Sequence, residues 1–478
     1  MIPCPAGPKN AVYYALPVIV AGVLLCLWRA SCEFPVYAWN EARLAPAFAL
    51  RQGINPYPPL GGGPLSTWIY GPLGIVVNLP ATFASTALGA VQAACLINLT
   101  VLITPLAWVF FRSRDLQKSN GAMRWFALGV AILLIPRPSL VLQIADHTAV
   151  AFGLFSCWFL TRSAHPSMFD LFSAAISGIL AVWTKQIEVF LIAAQLVYLL
   201  LVTDRSAAVG YLSWLLGFGL LTLGVIIWYF GWSNLWLNLV VIPGRLPWTD
   251  DMAGRIAMRS WALVAQILVP CAALTWLRFT RHWPRGGSQG ARFFLITIFV
   301  YFSMLPIGIA AFFKTGGDIN LLHSWNYLLP GCLLGWLTPE TISIRARVCW
   351  ISALSVLCLC LRQADVFSYP TRPLTAHFAA ADELIAAHPH RIWFPRNPVV
   401  NYYADKQLWH TEDGIETRFL ANYGLREVDF RSYLPPGLEV IAYPANIENP
   451  FSMQLLREFS EKTFVPYWSV YRRPEIDP

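Results

Sequence analysis

The sequence predicts a polytopic α-helical membrane protein carrying a small α/β domain at its C-terminal end. Three observations predict it: an apolar composition, basic residues gathered in short loops between apolar stretches, and a change of hydrophobic period near residue 364. Of 478 residues, 56% are hydrophobic and 13% charged, against about 45–50% and about 25% in an ordinary soluble domain. With 21 Trp, 18 Tyr and 29 Phe, the apolar mass exceeds what one water-soluble core can hide, since such cores stop growing near ~250–300 residues. A soluble enzyme, a disordered chain and a disulfide-stapled secreted chain are excluded. The formal charge of +8 would suit nucleic acid, but its placement points elsewhere. From Phe367 onward the chain carries 14 acidic and 11 basic residues, leaving 12 and 23 for the rest. The basic excess sits in loops such as Arg112, Arg114, Lys118 and Arg124, or Arg278, Arg281, Arg285 and Arg292. That is the positive-inside pattern, with membrane lipid and not nucleic acid as the partner. The 10 cysteines lie between positions 4 and 360, mostly in apolar runs, and read as membrane core rather than a disulfide frame.

Taken in order, about eleven stretches approach the ~20 apolar residues that a bilayer requires. They cover approximately 11–28, 88–111, 125–144, 147–161, 171–183, 187–202, 208–230, 261–277, 293–313, 321–337 and 348–361. The first has only Lys9 before it and no small-residue cleavage site, so it is expected to be a retained span and not a signal peptide. An odd number of spans with the Arg-rich loops inside puts the N-terminus in the cytoplasm and the C-terminal domain outside. The stretch 70–85 carries Pro72 and Pro80; it is expected to lie on the outer surface within a long first outer loop, 29–87, because a further span would invert everything after it. Asp115, Asp170, Asp204 and Glu340 then fall in cytoplasmic turns. Glu33, Glu41, Asp146, Glu188, Asp250, Asp251 and Asp318 face the outer side or its membrane edge. Ionisable groups at a bilayer are costly and usually functional or paired, so any chemistry is expected to be extracytoplasmic.

Residues 1–363 form the membrane domain in this reading and 364–478 the α/β domain. Leu374, Phe378, Leu384 and Ile385 have helical spacing over 374–387, and 391–394 reads as a strand. A strand at 438–443, an amphipathic helix over 452–462 with Met453, Leu456 and Phe459, and a final strand at 464–471 complete it. No internal repeat is evident, which weighs against a secondary transporter.

The richest stretch is Trp39-Asn40-Glu41-Ala42-Arg43, read as loop, followed by Gly53-Ile54-Asn55-Pro56-Tyr57 and Trp68-Ile69-Tyr70-Gly71-Pro72. Glu41 and Arg43 offer a base and a phosphate-binding fork just beyond the first span; the alternative is an interfacial ion pair. Asp146-His147 opens the fourth span, and Ala181-Val182-Trp183-Thr184-Lys185 closes the fifth. Lys185 offers a point charge to a phosphate, against snorkelling at the interface; Asp146 offers a catalytic carboxylate, against a helix cap. His147 is read as structural. Lys314-Thr315-Gly316-Gly317-Asp318-Ile319-Asn320 brings a charge and flexible backbone to the outer edge, enough for a phosphate or a tight turn. Arg245, Asp250, Asp251, Arg255 and Arg259 form a charged outer segment to which no catalytic role is assigned. His377, His388, His390 and His410 are scattered, and no Cys/His metal spacing appears.

The first outer loop resembles that of the GT-C superfamily of polyprenyl-phosphate-sugar glycosyltransferases, which includes the lipid A aminoarabinose transferases and the protein O-mannosyltransferases. Their loop carries Asp-Glu-x-Arg, where this chain has Asn40-Glu41-Ala42-Arg43. The resemblance extends to Asp146 and to Thr184-Lys185, and to the basic and polar-aromatic stretch after Lys314. It implies a bacterial inner-membrane, inverting transferase that moves a sugar from a polyprenyl-phosphate donor to an acceptor hydroxyl of a lipid, glycan or protein. In that family the first acid of the loop acts on the acceptor; with Asn40 there, Glu41 is expected to serve as base, with another acid as the alternative. The resemblance further implies Asp146 as a second catalytic acid, and Arg43, Lys185, Lys314, Asn40, Tyr57, Tyr70 and Asn320 as substrate-binding residues. No cofactor beyond the lipid-linked donor is implied, and a divalent metal stays open. Because Asn40 cannot take a proton, a catalytically inactive scaffold presenting the α/β domain remains an alternative, beside a transporter or flippase of lipid-linked sugars.

Overall fold

The computed structural model describes residues 38–113, 145–254, 288–315 and 374–474, apart from 60, 67, 424–429, 446, 448 and 449, together with isolated positions such as 128 and 317. The expected spans at 11–28, 125–144, 261–277, 321–337 and 348–361 lie wholly or almost wholly outside the described residues.

The segment read as loop around Asn40 is instead helical: α1 spans Ala38–Arg51. Its run of Ala and Leu residues favours helix over loop. This changes the geometry of the Glu41–Arg43 pair, because residues two apart on a helix point about 200° away from each other. The 70–85 stretch forms two short helical turns, α2 (Leu73–Val77) and a 3₁₀ turn at Leu79–Phe83. The Asn78 side chain donates to the Gly74 carbonyl at the break between them.

Helices α3 (Ala87–Arg112), α4 (Ala145–Thr161), α5 (Met168–Thr184), α6 (Val189–Tyr198, extended by a π turn to Thr203) and α7 (Arg205–Phe230) follow. They match the stretches expected at 88–111, 147–161, 171–183, 187–202 and 208–230. Polar side chains fix their starts: Thr86 caps α3, Ser167 and Asp170 form a capping box on α5, and Asp204 caps α7. The turn acids Asp170 and Asp204 are therefore caps. Beyond α7 come α8 (Trp232–Trp236), a π turn at Leu237–Val241 and α9 (Ile242–Arg245), and later α10 (Gln289–Phe312).

Among the described residues, Ala87–Arg112, Gln186–Thr203, Arg205–Phe230 and Gln289–Phe312 are long and apolar enough to cross a bilayer. A 26-residue helix rises ~39 Å, against a hydrocarbon core of ~30 Å. Helix α7 presents Leu216, Leu220, Leu221, Val225 and Trp228 outward, an apolar surface that water would not tolerate but lipid does. Trp232 and Trp236 stack at 5.6 Å just beyond its end, where aromatic residues suit the membrane interface.

Helices α4 and α5 run antiparallel. Asp146 meets Lys185 at one end, and Ser156 donates to the Ala174 carbonyl further along. Gln195 of α6 donates to Ser156 and accepts from Tyr211 of α7, which ties three apolar helices through one satisfied network.

The C-terminal part holds α11 (Leu374–Ala387), β1 (Ile392–Trp393), α12 (Pro398–Asp405), α13 (Glu412–Leu420), β2 (Val440–Pro444), α14 (Ser452–Leu455), β3 (Glu461–Val465) and β4 (Trp468–Arg472). The sheet order is β1-β2-β4-β3, with β1 parallel to β2 and the other pairs antiparallel. Two sequence expectations are corrected here. The helix expected over 452–462 stops at Leu455, and the single strand expected at 464–471 is a hairpin. Pro466 and Tyr467 turn it, Tyr467 taking a φ of 68°, so the chain folds back where an unbroken strand was expected. Helices α12 and α13 were not anticipated.

This α/β unit is seated directly on the segment 38–84, expected from the sequence to belong to the first outer loop. Phe48 of α1 packs against Tyr402 with ring centroids 4.4 Å apart. The Gln52 amide donates to the Lys406 carbonyl at 2.7 Å and the Tyr403 hydroxyl to the Ala84 carbonyl at 2.5 Å. The Leu65 N–H donates to His410 Nδ1 at 2.8 Å, while the Thr411 N–H donates to the Leu65 carbonyl at 2.9 Å. Arg418 reaches the Pro58 carbonyl at 3.2 Å and Asn238 at 2.6 Å.

Candidate functional site

Helix α5 ends at Thr184, and Lys185 continues straight into a 3₁₀ turn, Gln186–Glu188. A cation at a helix C-terminus is favoured by the partial negative charge of the last carbonyls. The segment 38–84 closes over this end. The Gly71 N–H donates to the Thr184 carbonyl at 3.1 Å, and the Gln186 amide donates to the Ile69 carbonyl at 2.9 Å and the Leu239 carbonyl at 3.0 Å. Gly71 is required by contact: a Cβ there would stand 1.9 Å from the Trp183 carbonyl oxygen.

This clamp holds Tyr70 above two cations. The Lys185 ammonium and the Arg43 guanidinium each lie 5.4 Å from the centre of the Tyr70 ring. Lys185 donates to Asp146 Oδ1 at 2.6 Å, with both side chains 2% exposed. Burial works against the charge of Arg43, whereas Tyr70, Asp146 and Asp413 favour it, and the balance raises its pKa above the ordinary arginine value. Tyr57 stands behind: its hydroxyl donates to the Tyr70 carbonyl at 2.7 Å, and its ring meets Phe230 edge-on at 5.2 Å. The outcome is two cations against one aromatic ring, one of them paired with a carboxylate, in a setting where charge is weakly screened. Such a group can receive an anion and stabilise charge developing on it.

Glu41 points elsewhere. Oε1 accepts from Asn397 at 2.7 Å and Oε2 from the Val400 N–H at 3.2 Å. Asn397 and Val400 are the N-cap and third residue of α12, so Glu41 caps that helix from another part of the chain. Burial pushes its carboxyl up from 4.5 to about 7, against the opposing hydrogen bonds from Asn397, Val400 and Val399. Asn40 is buried in the same turn of α1.

Lys314 is held apart. Its ammonium donates to the Pro243 and Gly244 carbonyls at 3.0 and 2.8 Å and lies 5.9 Å from the Trp248 ring. The strands of backbone around it are laced by the Thr249 N–H to the Phe313 carbonyl and the Thr315 N–H to the Pro247 carbonyl. Asn320, like Glu33 and Asp318, lies outside the described residues. His147 is buried in α4, and Arg245 of the charged outer segment lies 4.9 Å from the Tyr423 ring.

The structure thus brings together Arg43, Tyr70, Asp146 and Lys185, supported by Tyr57, and leaves Glu41 and Lys314 on separate contacts. Sequence reasoning missed the α/β unit's contribution: Asp413, paired with Arg396, exchanges charge effects with Arg43. The only sequence signal was Thr411-Glu412-Asp413-Gly414, a helix-start pattern. Among the described residues no three His, Cys, Asp or Glu side chains converge as metal ligands.

No protein-family model matches the sequence, and a search of curated proteins finds no match. Among solved structures, ArnT from Cupriavidus metallidurans bound to undecaprenyl phosphate superposes with a TM-score of 0.51 at 12% identity, covering 96% of this chain and 98% of that one. The apo state of the same protein gives 0.40 at 13% identity, over the same shares of each chain. At this level of identity the likeness concerns architecture: the chain shares the overall fold of ArnT.

Proposed function

We propose that the chain is an inverting membrane glycosyltransferase that takes a sugar from a polyprenyl-phosphate donor and delivers it to an acceptor hydroxyl. The observation that carries this reading is the Arg43–Tyr70–Lys185 arrangement closed by Asp146, in the fold of a protein whose structure holds undecaprenyl phosphate. Arg43 and Lys185 hold the donor phosphate. The acceptor oxygen attacks the anomeric carbon, the bond from that carbon to the phosphate oxygen breaks, and polyprenyl phosphate leaves with both electrons. The two cations stabilise the charge that gathers on it.

The acceptor proton goes to a carboxylate. Of the two nominated from the sequence, Asp146 is the one beside both cations, whereas both Glu41 oxygens already accept N–H bonds. Lys185 occupies Asp146 Oδ1 in the resting protein. When Lys185 turns to the donor phosphate it frees that oxygen for the acceptor proton, which couples proton removal to donor binding. The reading keeps the N-terminus cytoplasmic and the α/β unit outside a bacterial inner membrane, with a lipid, glycan or protein acceptor.

Asn40 and the capping role of Glu41 favour one rival, the inactive scaffold, and a transfer assay separates the two. Protein in nanodiscs is given undecaprenyl-phosphate hexoses and pentoses with envelope lipid and glycan acceptors, and release of undecaprenyl phosphate is followed. Wild type should release it, and Asp146→Asn should do so about 10²-fold more slowly. Donor binding without release for every donor would establish the scaffold.

A further inference from the structure

Asp413 is a charged group at this interface that the reaction above does not use. It lies in the first turn of α13, whose N-cap Thr411 accepts from the Gly414 N–H at 3.1 Å, and it is 3% exposed. Arg396 holds Oδ1. The second oxygen, Oδ2, is buried and has no hydrogen-bond partner among the described residues. A buried carboxylate oxygen without a partner is costly and uncommon in folded proteins. Arg43 is the second cation acting on this carboxylate, and the effect is mutual.

The position is fixed by main chain. Both the Thr411 N–H and its hydroxyl donate to the Leu65 carbonyl, at 2.9 and 3.2 Å, and a Cβ on Gly414 would stand 2.8 Å from that same oxygen. The first turn of α13 is therefore pressed onto the segment 38–84 with no room for a side chain between. Asn397, which caps α12 nearby in sequence, also has a buried carbonyl oxygen, Oδ1, without a partner, while its amide serves Glu41. The α/β unit thus holds two buried acceptor atoms, Asp413 Oδ2 and Asn397 Oδ1, without a hydrogen-bond partner among the described residues, where it contacts the segment that carries Glu41, Arg43 and Leu65.

We infer that Asp413 binds the sugar of the lipid-linked donor, Oδ2 accepting a hydrogen bond from a ring hydroxyl, so that the α/β unit supplies selectivity for the donor sugar. This rests on the assignment of the donor phosphate to Arg43 and Lys185. A carboxylate repels phosphate but accepts from hydroxyls, and the sugar hangs one bond from the phosphate that Arg43 holds. Arg396 orients the carboxylate by occupying its other oxygen. Acceptor atoms left unpaired unless the right hydroxyl arrives are the arrangement that gives strong discrimination between sugars.

The test measures binding of undecaprenyl phosphate alone and of a panel of undecaprenyl-phosphate hexoses and pentoses to full-length protein in nanodiscs. For the tightest sugar-bearing lipid, Asp413→Ala should weaken binding by about 10-fold or more, the range of a lost charge-assisted hydrogen bond. Binding of undecaprenyl phosphate alone should not weaken. Asp413→Asn keeps the shape and an acceptor oxygen, guards against a folding defect, and should show a smaller loss with the same selectivity. Equal loss for both ligands in both variants, or no loss for either, overturns the inference. Wild-type protein that binds undecaprenyl phosphate but gains nothing from any sugar overturns it while leaving the phosphate site standing; protein that binds neither overturns both.

Discussion

Lys185 and Lys314 look alike in the sequence, each a lone lysine at the outer end of an apolar run, yet the fold treats them differently. Lys185 is buried, pairs with the Asp146 carboxylate and lies against the Tyr70 ring that Arg43 also meets. Lys314 is half-buried and gives its hydrogen bonds to the Pro243 and Gly244 carbonyls. The first can exchange a carboxylate for a phosphate without facing water; the second already closes a loop. A lysine's availability is set by what it is bonded to, not by its distance from the membrane.

The largest way to break this contrast is Lys185→Met. Removing one partner of a buried ion pair typically costs about 3–5 kcal/mol because the other charge stays buried, so melting temperature should fall and transfer should vanish. Adding Asp146→Leu should restore most of the stability and none of the transfer; activity in the double variant would show that the pair is only structural. Gly71→Ala comes next. Its Cβ would collide with the Trp183 carbonyl at 1.9 Å, pushing Tyr70 off the two cations. A displacement of about 1 Å should slow turnover by about 10²-fold, with a near-normal rate ruling out Tyr70 as the lid of the site.

Glu41→Gln sharpens the same comparison within the first helix. As a cap on α12 it should cost about 1 kcal/mol and loosen the α/β unit, read as faster proteolysis near 398, while transfer falls less than 10-fold. A 10²-fold fall with intact donor binding would return the base to Glu41. The pH dependence is fixed in sign: because burial raises this carboxyl from 4.5 to about 7, the folded state holds the proton more tightly than the unfolded chain does. Its contribution is full below about pH 4.5 and lost as the pH rises through about 7, so wild type should lose melting temperature across that window relative to Glu41→Gln. Smallest of all, Lys314→Ala should change transfer within about 3-fold and stability by about 0–1 kcal/mol.

What could be read in advance follows from the range of each interaction. Helix periods and polar caps are local, so 374–387 and the helices capped by Thr86, Ser167 and Asp204 were legible in the sequence or followed from it with small shifts at their ends. Asp146 and Lys185 were nominated together through the family resemblance, one opening an expected span and the other closing the next. The hairpin at Pro466-Tyr467 was hidden because Phe464-Val465-Pro466-Tyr467-Trp468 is one continuous apolar run that carries through the turn. The hydrogen bonds of Glu41 were not legible, since its partners Asn397 and Val400 lie more than 350 residues away. The setting of Asp413 was invisible for the same reason: Leu65, on which the first turn of its helix rests, and Arg43, whose charge acts on it, are distant in the sequence and no local pattern announces them.

The central claim is that the donor phosphate belongs to Arg43 and Lys185. An experimental structure of the protein with undecaprenyl phosphate tests it most directly. The account predicts the phosphate within hydrogen-bond reach of both side chains, with Lys185 drawn away from Asp146. A phosphate seated at Lys314 instead, with the Asp146–Lys185 pair intact, would contradict it.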